Sequence, residues 1–268
     1  MSSRSKSPSS HPKMESIWQE IEQEARNAAA KQSEMASYYY VNVLNHKNFS
    51  ESIRYSLSNR LANRQMSAMT LHSLMSQAME AEPDIVDSML ADLLAHYERD
   101  AACDQYILPL LFFKGYHAMQ AHRIAHYYWG QNRKTLAYFL QHRINELFDV
   151  DIHPAAQFGQ GVMLDHATGI VVGETAIVEN NVSLLHGVTL GGSGAAGGQR
   201  HPTIRSGVLL SNGAKLLGNI EIGENAKVGA GSVVLESVLA NTTVAGVPAK
   251  QVGKKKQQTP SLDMDHRL

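Results

Sequence analysis

The sequence lacks the features that mark exported, membrane-spanning and nucleic-acid-binding proteins. Its 268 residues include a single cysteine, Cys103, so no internal disulfide can form, which is typical of a reducing compartment. No apolar run approaches the roughly 18 residues of a membrane span, and the N-terminal residues lack the apolar stretch of an export signal. The net charge of −1 gives no electrostatic attraction to nucleic acid or to an anionic membrane. We therefore expect a soluble cytoplasmic protein that binds neither nucleic acid nor a membrane.

What the sequence does contain is a six-residue repeat between Asp151 and about Val238. Aliphatic or aromatic residues recur six positions apart in three series: Ile152, Phe158, Leu164 and Ile170; Val172, Val178, Leu184 and Leu190; and Ile204, Leu210, Leu216, Ile222, Val228 and Val234. A period of six fits neither an amphipathic helix nor an alternating strand. It is typical of a β-helix, in which short parallel strands wind around a packed interior, about eighteen residues to a three-sided coil. An irregular aliphatic β-sandwich would not keep so many residues in phase.

The rest of the chain divides around this repeat. Residues 1–13 are rich in Ser and Pro and predict a disordered tail. Residues 14–150 show apolar stripes at helical spacing and predict a helical domain. Residues 151–250 hold the repeat, and the polar residues 251–268 predict a flexible tail. The predicted fold class is α+β: an all-helical N-terminal domain followed by a parallel β-helix.

Two departures interrupt the repeat. The aliphatic phase shifts by two residues between Ile170 and Val172, and it shifts again across residues 191–203 (GGSGAAGGQRHPT), where five of thirteen residues are glycine. A packed face would not contain so much glycine, so this segment predicts a loop that leaves the coil. Such loops often form the binding surface of a repeat protein.

Polar residues suited to chemistry are few and grouped within the repeat. His166 and His186 are 20 residues apart, one coil plus the two-residue shift, so we expect them on one corner in successive coils. Asp151 precedes His166 by fifteen residues, which lets its carboxylate approach that imidazole from the coil beneath. An Asp beside a His fixes the tautomer and stabilises the imidazolium, as a general base requires. Each residue alone also fits a solvated corner position; together with Arg200 and His201 in the Gly-rich loop they indicate a site.

The histidine spacing does not favour a metal centre. His153, His166, His186 and His201 contain no His-x4-His pair, and Cys103 lies outside the repeat. No Ser or Cys stands in a recognisable nucleophile elbow either. We therefore expect no metal, and direct attack on a bound acyl donor aided by a histidine base.

The run VDIHPAAQFGQGVMLDHATGIVVGETAIVENNVSLLHGVTLGG resembles the catalytic core of the serine O-acetyltransferases, which make O-acetylserine for cysteine synthesis. The resemblance continues through GGQRHPTI, GNIEIGENAKVGAGSVVL and AGVPAKQVG, and LPLLFFKGYHAMQAHRI is similar to the helical half of the family. It covers roughly residues 14–265. DHATG followed by GET and RHP is more specific than the six-residue rhythm, which many acyltransferases share.

The resemblance implies a left-handed β-helix joined to a helical oligomerisation domain, residues 14–150. It implies homotrimers whose helical domains pair two trimers into a hexamer, with active sites between neighbouring β-helices. It implies that His166 takes the proton of the serine hydroxyl and that Asp151 orients His166. A guanidinium suits a carboxylate and carboxylates suit an ammonium. The residues implied to hold the amino acid are Asp100, Asp165, Arg200 and His201.

Acetyl-CoA is the implied co-substrate, in a groove between coils. Small residues and backbone groups permit close approach of its pantetheine arm, and the implied positions are Gly192, Ser193, Asn212 and Ala230. L-Cysteine resembles serine in all but its nucleophilic atom and is implied as a competing inhibitor. Ala101 stands where the family usually has Pro, which predicts a less rigid loop around Asp100.

Many members of the family end in a longer tail whose final Ile inserts into the active site of O-acetylserine sulfhydrylase. This chain ends at Leu268 without that extension. We therefore expect at most a weak complex with the sulfhydrylase.

Three other functions remain open at this stage. A hexapeptide acetyltransferase with another hydroxyl acceptor shares the coil, although such enzymes lack the combination of a helical domain with DHATG and RHP. A non-catalytic β-helix scaffold would have no need of the pair Asp151 and His166. A metal-dependent hydratase similar to γ-carbonic anhydrases is disfavoured by the histidine spacing. The predicted function is transfer of acetyl from acetyl-CoA to the L-serine hydroxyl.

Overall fold

The structure, a computed structural model, describes residues 11–194, 197–252, 259–265 and 267. These residues form a helical region followed by a parallel β-helix of about five coils, which confirms the predicted fold class. The first ten residues of the predicted N-terminal tail lie outside the described residues, as do residues 253–258, His266 and Leu268 of the predicted C-terminal tail.

Eight α-helices precede the β-helix in the described part of the chain, together with a short 3-10 helix (Ser33–Met35) and a π-helical turn (Tyr40–Leu44). The α-helices are α1 (His11–Lys31), α2 (Ala36–Tyr39), α3 (Phe49–Leu61), α4 (Ala68–Ala81), α5 (Asp84–Arg99), α6 (Ile107–Phe112), α7 (Lys114–Gly130) and α8 (Lys134–Phe148). Among the described residues, no helix combines the length and the apolar character needed to cross a membrane.

Helix α1 begins at His11, so residues 11–13 are helical and the prediction of a disordered tail through residue 13 is wrong for these three. Ser16 Oγ donates a hydrogen bond to the carbonyl of Lys13 at 2.9 Å within this first turn. Ile17 and Ile21 are buried one turn apart, and a helix nucleated by that packing extends outward at little further cost.

The strands of the β-helix lie on three faces. The first face holds β1 (Val150–Ile152), β4 (Ile170–Val172), β7 (Thr189–Gly191), β10 (Lys215–Leu217) and β13 (Val233–Val234). The second holds β2 (Gln157–Phe158), β5 (Ile177–Val178), β8 (Thr203–Ile204) and β11 (Glu221–Ile222). The third holds β3 (Met163–Asp165), β6 (Ser183–Leu185), β9 (Leu209–Leu210), β12 (Lys227–Val228) and β14 (Thr243–Gly246), with β15 (Ala249–Gln251) added antiparallel at its edge.

The six-residue series fills the interior, as predicted. Every member except Phe158 is at most 2% exposed, because each inward side chain stacks on its counterpart in the next coil. Leu164 pairs with Leu184, and Leu184 pairs with Leu210. Phe158 is half-buried and packs edge-on against the ring of His122 on α7, with 5.1 Å between the ring centroids.

The two-residue phase shift lies at a corner and not inside β4, where the sequence placed it. Ile170 pairs with Val150 and Val172 pairs with Ile152, so both point inward and the strand itself is regular. The first coil therefore takes 20 residues, whereas Val171 pairs with Thr189 only 18 residues on. The two extra residues fall in the turn between β3 and β4.

A buried ion pair fastens the helical region to the first coil. Asp92 on α5 is completely buried and accepts hydrogen bonds from Arg123 Nε and Nη2 on α7 at 2.9 and 2.7 Å. The backbone N–H of Val162 donates to the other oxygen of Asp92 at 2.8 Å, and Arg123 also donates to the carbonyl of Gly159 at 2.7 Å. The carboxylate thus holds two helices and the β-helix in one relative position.

Part of the predicted flexible C-terminal tail is packed on the molecule. A short helix, α9 (Pro260–Asp263), contacts α5, and Ser261 is completely buried. Ser183 Oγ donates to the Ser261 carbonyl at 3.0 Å and itself accepts from Arg99 Nη1 at 3.1 Å. The prediction of flexibility fails here because these contacts between distant residues give a polar segment partners that its composition does not indicate.

Candidate active site

Four sequence-predicted residues form a column that we call the histidine corner: His166, His186, Asn212 and Ala230. They occupy the same position in successive coils at the turn from the third face to the first, as the registers Asp165–Leu185, Leu184–Leu210 and Leu210–Val228 require. The rings of His166 and His186 are 5.8 Å apart between centroids, which confirms that they stack on one corner. The N–H of Gly213 donates to the His186 carbonyl at 2.9 Å, the bond expected between stacked coils.

His166 occupies a strained and exposed position. Both His166 and Ala167 adopt left-handed backbone conformations, with φ of 54° and 60°. Such a conformation costs a residue other than glycine about 1–2 kcal/mol, and such strain is concentrated at functional sites. The His166 side chain is 75% exposed, and its Nε2 lies 3.8 Å from Asp165 Oδ1. The two-residue insertion therefore presents an imidazole to solvent beside a carboxylate.

Helix α7 supports this turn from below. A Cβ on Gly115 would lie 2.0 Å from the carbonyl oxygen of Leu164 and 3.0 Å from Cβ of the buried Ala167, so only glycine permits this approach. Lys114 Nζ donates to Thr168 Oγ1 at 2.6 Å. The backbone that carries His166 is thus held by the N-terminus of α7.

Two carboxylates accompany His166. Burial raises the pKa of Asp165; the charge of His166 opposes this effect and the charge of Asp100 adds to it. Asp100 is the C-cap of α5, and its Oδ1 accepts a hydrogen bond from the Ala102 N–H at 2.9 Å. The Cys103 N–H donates to the Asp100 carbonyl at 2.9 Å. The loop that lacks the usual proline is therefore closed by two local hydrogen bonds.

Asp151 lies outward on β1, between the inward residues Val150 and Ile152. Its Oδ1 accepts a hydrogen bond from Gln141 Nε2 on α8 at 2.6 Å. No hydrogen bond or ion pair joins Asp151 to the His166 ring in the part of the chain that the structure describes. Their pairing stays a prediction, and the partner that the structure gives Asp151 is an amide from the helical region.

The predicted residues Arg200 and His201 lie at the turn from the first face to the second, beside Gly173 and Glu174, in a cluster of four residues that we call the arginine corner. Arg200 Nη2 forms an ion pair with Glu174 Oε2, and this hydrogen bond lowers the pKa of Glu174. His201 is buried against Gly173, where an added Cβ would lie 2.0 Å from its Nε2. Burial, and then the charge of Arg200, lower the pKa of His201 and keep its imidazole neutral.

Thr175 fixes the end of the Gly-rich loop at the arginine corner. Its hydroxyl oxygen accepts from the backbone N–H of Arg200 at 3.0 Å and of His201 at 3.2 Å. His201 Nδ1 accepts from the N–H of Thr175 at 3.2 Å, which leaves the proton of the neutral ring on Nε2. Gln199 Nε2 donates to the Thr175 carbonyl at 2.6 Å and so closes the loop.

The positions predicted for acetyl-CoA are divided between the corners. Gly192 lies beside His201, where an added Cβ would come within 3.2 Å of its Nε2, and exposed Ser193 lies against Gly218. Asn212 and Ala230 are exposed at the histidine corner. The two corners are the opposite edges of the first face, where β1, β4, β7 and β10 are three residues long and span roughly 10 Å at ~3.3 Å per residue. One chain therefore does not bring all the predicted residues together.

The sequence did not single out Gln141, Thr175 or Gly115. Thr175 belongs to the GET motif, so the motif pointed to this part of the site. The role of its hydroxyl could not be predicted, because that hydroxyl binds the backbone of the Gly-rich loop where the loop returns to the coil. Gln141 and Gly115 belong to helices whose patterns give no sign of the β-helix beneath. Within the described residues, no three His, Cys, Asp or Glu side chains are grouped as metal ligands would be.

Comparison with known proteins agrees with this geometry. Residues 17–121 match the family model described as serine acetyltransferase, N-terminal, and residues 201–236 match the bacterial transferase hexapeptide model of six repeats. The serine acetyltransferase of Escherichia coli (strain K12) is 51% identical over 255 residues, which are 95% of this chain and 93% of that protein.

Solved structures extend the likeness to the whole architecture. A serine acetyltransferase in complex with cysteine superposes with a TM-score of 0.93 at 49% identity, covering 94% of this chain and 98% of that one. The serine acetyltransferase of Brucella abortus strain S19 in complex with coenzyme A superposes with a TM-score of 0.90 at 46% identity, covering 92% and 99%. The chain belongs to the serine acetyltransferase family.

Proposed function

We propose that the chain transfers the acetyl group of acetyl-CoA to the hydroxyl of L-serine at a site built from the histidine corner of one copy and the arginine corner of the next. The observation that carries this proposal is the division of the predicted residues between two edges of one face. Carboxylates and an exposed imidazole lie at one edge, and a guanidinium with a neutral imidazole lies at the other. Each set is chemically half of a serine site.

The roles follow from charge. Asp100 and Asp165 receive the serine ammonium, because their carboxylates carry the opposite charge and Asp165 lies beside His166. Arg200 exchanges the carboxylate of Glu174 for that of serine, which a guanidinium binds through two parallel hydrogen bonds. His201, neutral with its proton on Nε2, donates one further hydrogen bond to the amino acid.

His166 acts as the general base, with Asp151 as its orienting partner. The imidazole takes the hydroxyl proton while the serine oxygen attacks the thioester carbonyl. The tetrahedral intermediate then collapses with loss of the CoA thiolate, which recovers the proton from the imidazolium. General-base catalysis of this kind contributes about 10²–10⁴-fold to the rate. Acetyl-CoA lies against the small positions Gly192, Ser193, Asn212 and Ala230, and the Brucella abortus structure with coenzyme A supports the use of this co-substrate.

Three features accompany this site. Homotrimers close the ring of shared sites, and two trimers pair through their helical regions into a hexamer, as family membership supports. L-Cysteine competes with serine for the same groups, which the relative in complex with cysteine supports. The single Cys103, buried and without an internal disulfide partner, supports a cytoplasmic location.

The shared site is tested by mixing two inactive variants. We expect His166→Ala to keep its assembly and to lose about 10²–10⁴-fold in kcat for serine, and Arg200→Ala to lose serine binding. In trimers reassembled from an equal mixture, a site is intact when an Arg200→Ala copy supplies the histidine corner and a His166→Ala copy supplies the arginine corner. Each of these two conditions is met with a probability of one half, so about one quarter of the sites are intact and the mixture should show about one quarter of wild-type activity. His142→Ala is the control, because this histidine is 72% exposed, nearly as exposed as His166, and lies outside both corners.

The outcomes separate the parts of the proposal. A mixture as inactive as either parent would show that each site lies within one chain. Normal turnover by His166→Ala would end its role as base. Acetyl transfer to a sugar or to homoserine in preference to serine would favour another acceptor, and no transfer to any acceptor would favour a scaffold.

A further inference from the structure

Asp151 has one described polar partner, and it comes from the helical region. Gln141 Nε2 donates to Asp151 Oδ1 at 2.6 Å, joining α8 to β1. The carboxylate makes no other hydrogen bond or ion pair within the described ranges of the chain. Both side chains are half-buried, so the bond is shielded from competing water more than a surface contact would be.

The topology explains why the partner comes from α8. Strand β1 is the edge of the first face, with β4 on one side and α8 packed against it. Opposite Asp151 on β4 stands Val171, whose apolar side chain offers no hydrogen bond. The covering helix supplies a polar partner for Asp151 on this outer face, and that partner is Gln141.

We infer that Gln141 is a positioning residue for catalysis, which holds Asp151 through Oδ1 and leaves Oδ2 for the imidazole of His166. This inference rests on the proposed roles of Asp151 and His166. An amide suits the task because it donates a hydrogen bond to the ionised carboxylate without adding charge. A cation there would compete with the imidazolium that forms during the reaction, and a carboxylate would share a proton with Asp151.

The bond is not needed to hold α8 on the β-helix. Ile144 and Phe148 of the same helix are buried in the core, and the helix ends in a left-handed cap at Asp149, whose N–H donates to the Asn145 carbonyl at 2.9 Å. These contacts fix the direction of the chain into β1 independently of Gln141. Loss of the amide should therefore affect the carboxylate and not the fold.

Two substitutions of Gln141 in the full chain test the inference. Gln141→Met keeps the length and helix propensity of the side chain and removes the donor; we expect kcat to fall about tenfold, with the KM values for serine and acetyl-CoA within about twofold of wild type. Gln141→Glu places two carboxylates in hydrogen-bonding contact, so one proton is retained to higher pH. The acidic limb of its kcat profile should move up by about one pH unit or more, with activity partly recovered near pH 9.

Asn145→Asp is the matched control. It makes the same amide-to-carboxylate change one turn further along α8, at an exposed position. We expect its pH profile to shift far less than that of Gln141→Glu, because an exposed carboxylate acts on Asp151 through water and does not replace its hydrogen-bond donor. A shift equal to that of Gln141→Glu would show a general charge effect and would overturn the inference.

A double-mutant cycle with Asp151→Asn distinguishes positioning from a structural role. If Gln141 acts through Asp151, Gln141→Met has no further effect on kcat in the Asp151→Asn background. An unchanged tenfold loss in that background, or Gln141 variants with wild-type kcat and pH profile, would refute the inference alone. Absence of serine acetylation by the wild-type chain, or full activity of Asp151→Asn, would instead refute the proposed function on which it rests.

Discussion

Replacing Gly115 by alanine should damage both stability and turnover through a single clash. Gly115 lies in the first turn of α7, beneath the strand that leads to His166. The new Cβ would be 2.0 Å from the carbonyl oxygen of Leu164, and the distance has to grow to at least 3.0 Å before the contact is tolerable. Either α7 or the backbone of Leu164 therefore moves by about 1 Å.

The magnitude follows from two opposing effects. Alanine is favoured over glycine in a helix by about 1 kcal/mol, which would stabilise the variant. Overpacking against fixed backbone costs about 1–3 kcal/mol or more, and here the atom displaced is a carbonyl that cannot rotate away. We expect a net loss of about 2 kcal/mol and a Tm lower by about 4–8 °C. Because a misplacement of about 1 Å at the site costs roughly 10²-fold, kcat should fall by a comparable factor.

Gly130, the last residue of the same helix, provides the control. Nothing lies within 4 Å of a Cβ placed there. Gly130→Ala should leave kcat unchanged and raise stability by at most about 1 kcal/mol. Thermal unfolding followed by circular dichroism, together with steady-state acetyl transfer to serine, measures both effects. A Gly115→Ala protein with the Tm and kcat of Gly130→Ala would refute the proposed close approach of α7 to the turn.

Two further predictions concern the helical region. Asp92→Asn leaves the buried guanidinium of Arg123 without a counter-charge and should lower the free energy of unfolding by about 3–5 kcal/mol. Asp84→Asn, in the exposed first turn of α5, is the control and should change the free energy of unfolding far less. Urea unfolding of the two variants measures the difference. Burial lowers the pKa of His96 to about 3, so the unfolded chain binds its proton below about pH 6.5 and the folded chain does not. The destabilisation by His96 should therefore be absent above pH 6.5 and grow as the pH falls, reaching about 2 kcal/mol at pH 5. His96→Leu should reduce the fall in Tm between pH 7 and pH 5. An unchanged slope of Tm against pH would contradict the lowered pKa of His96.

The parts of the fold that the sequence could predict are those governed by a repeated local rule. An inward aliphatic every sixth residue specifies the three faces and the register, and the structure keeps that register through Leu164, Leu184 and Leu210. The start of α1 and the docking of α9 obey no such rule. Ser261 is buried because Ser183 and Arg99 approach it from distant parts of the chain, and no local pattern encodes such a meeting.

The same distinction applies to the site. Counting residues around the coil predicted that His166 and His186 lie on the same corner in successive coils, because both belong to the repeat. The hydrogen bonds of Thr175 and Gln141 could not be predicted, since the first depends on where a Gly-rich loop returns and the second on how α8 covers an edge strand. Residues that position the predicted groups are thus found only when the elements are packed together.

The residues proposed as the base and as the carboxylate-binding groups lie where the repeat is broken. A regular coil of 18 residues uses its inward positions for aliphatic packing and returns the chain directly into the next strand. The first coil takes 20 residues, and its insertion holds His166 in a left-handed conformation on the support of Gly115. The third coil contains the Gly-rich loop, which returns Arg200 and His201 to the opposite edge of the same face. Since the two insertions emerge at different corners, neither completes a site within its own chain, and catalysis becomes coupled to the packing of one β-helix beside another.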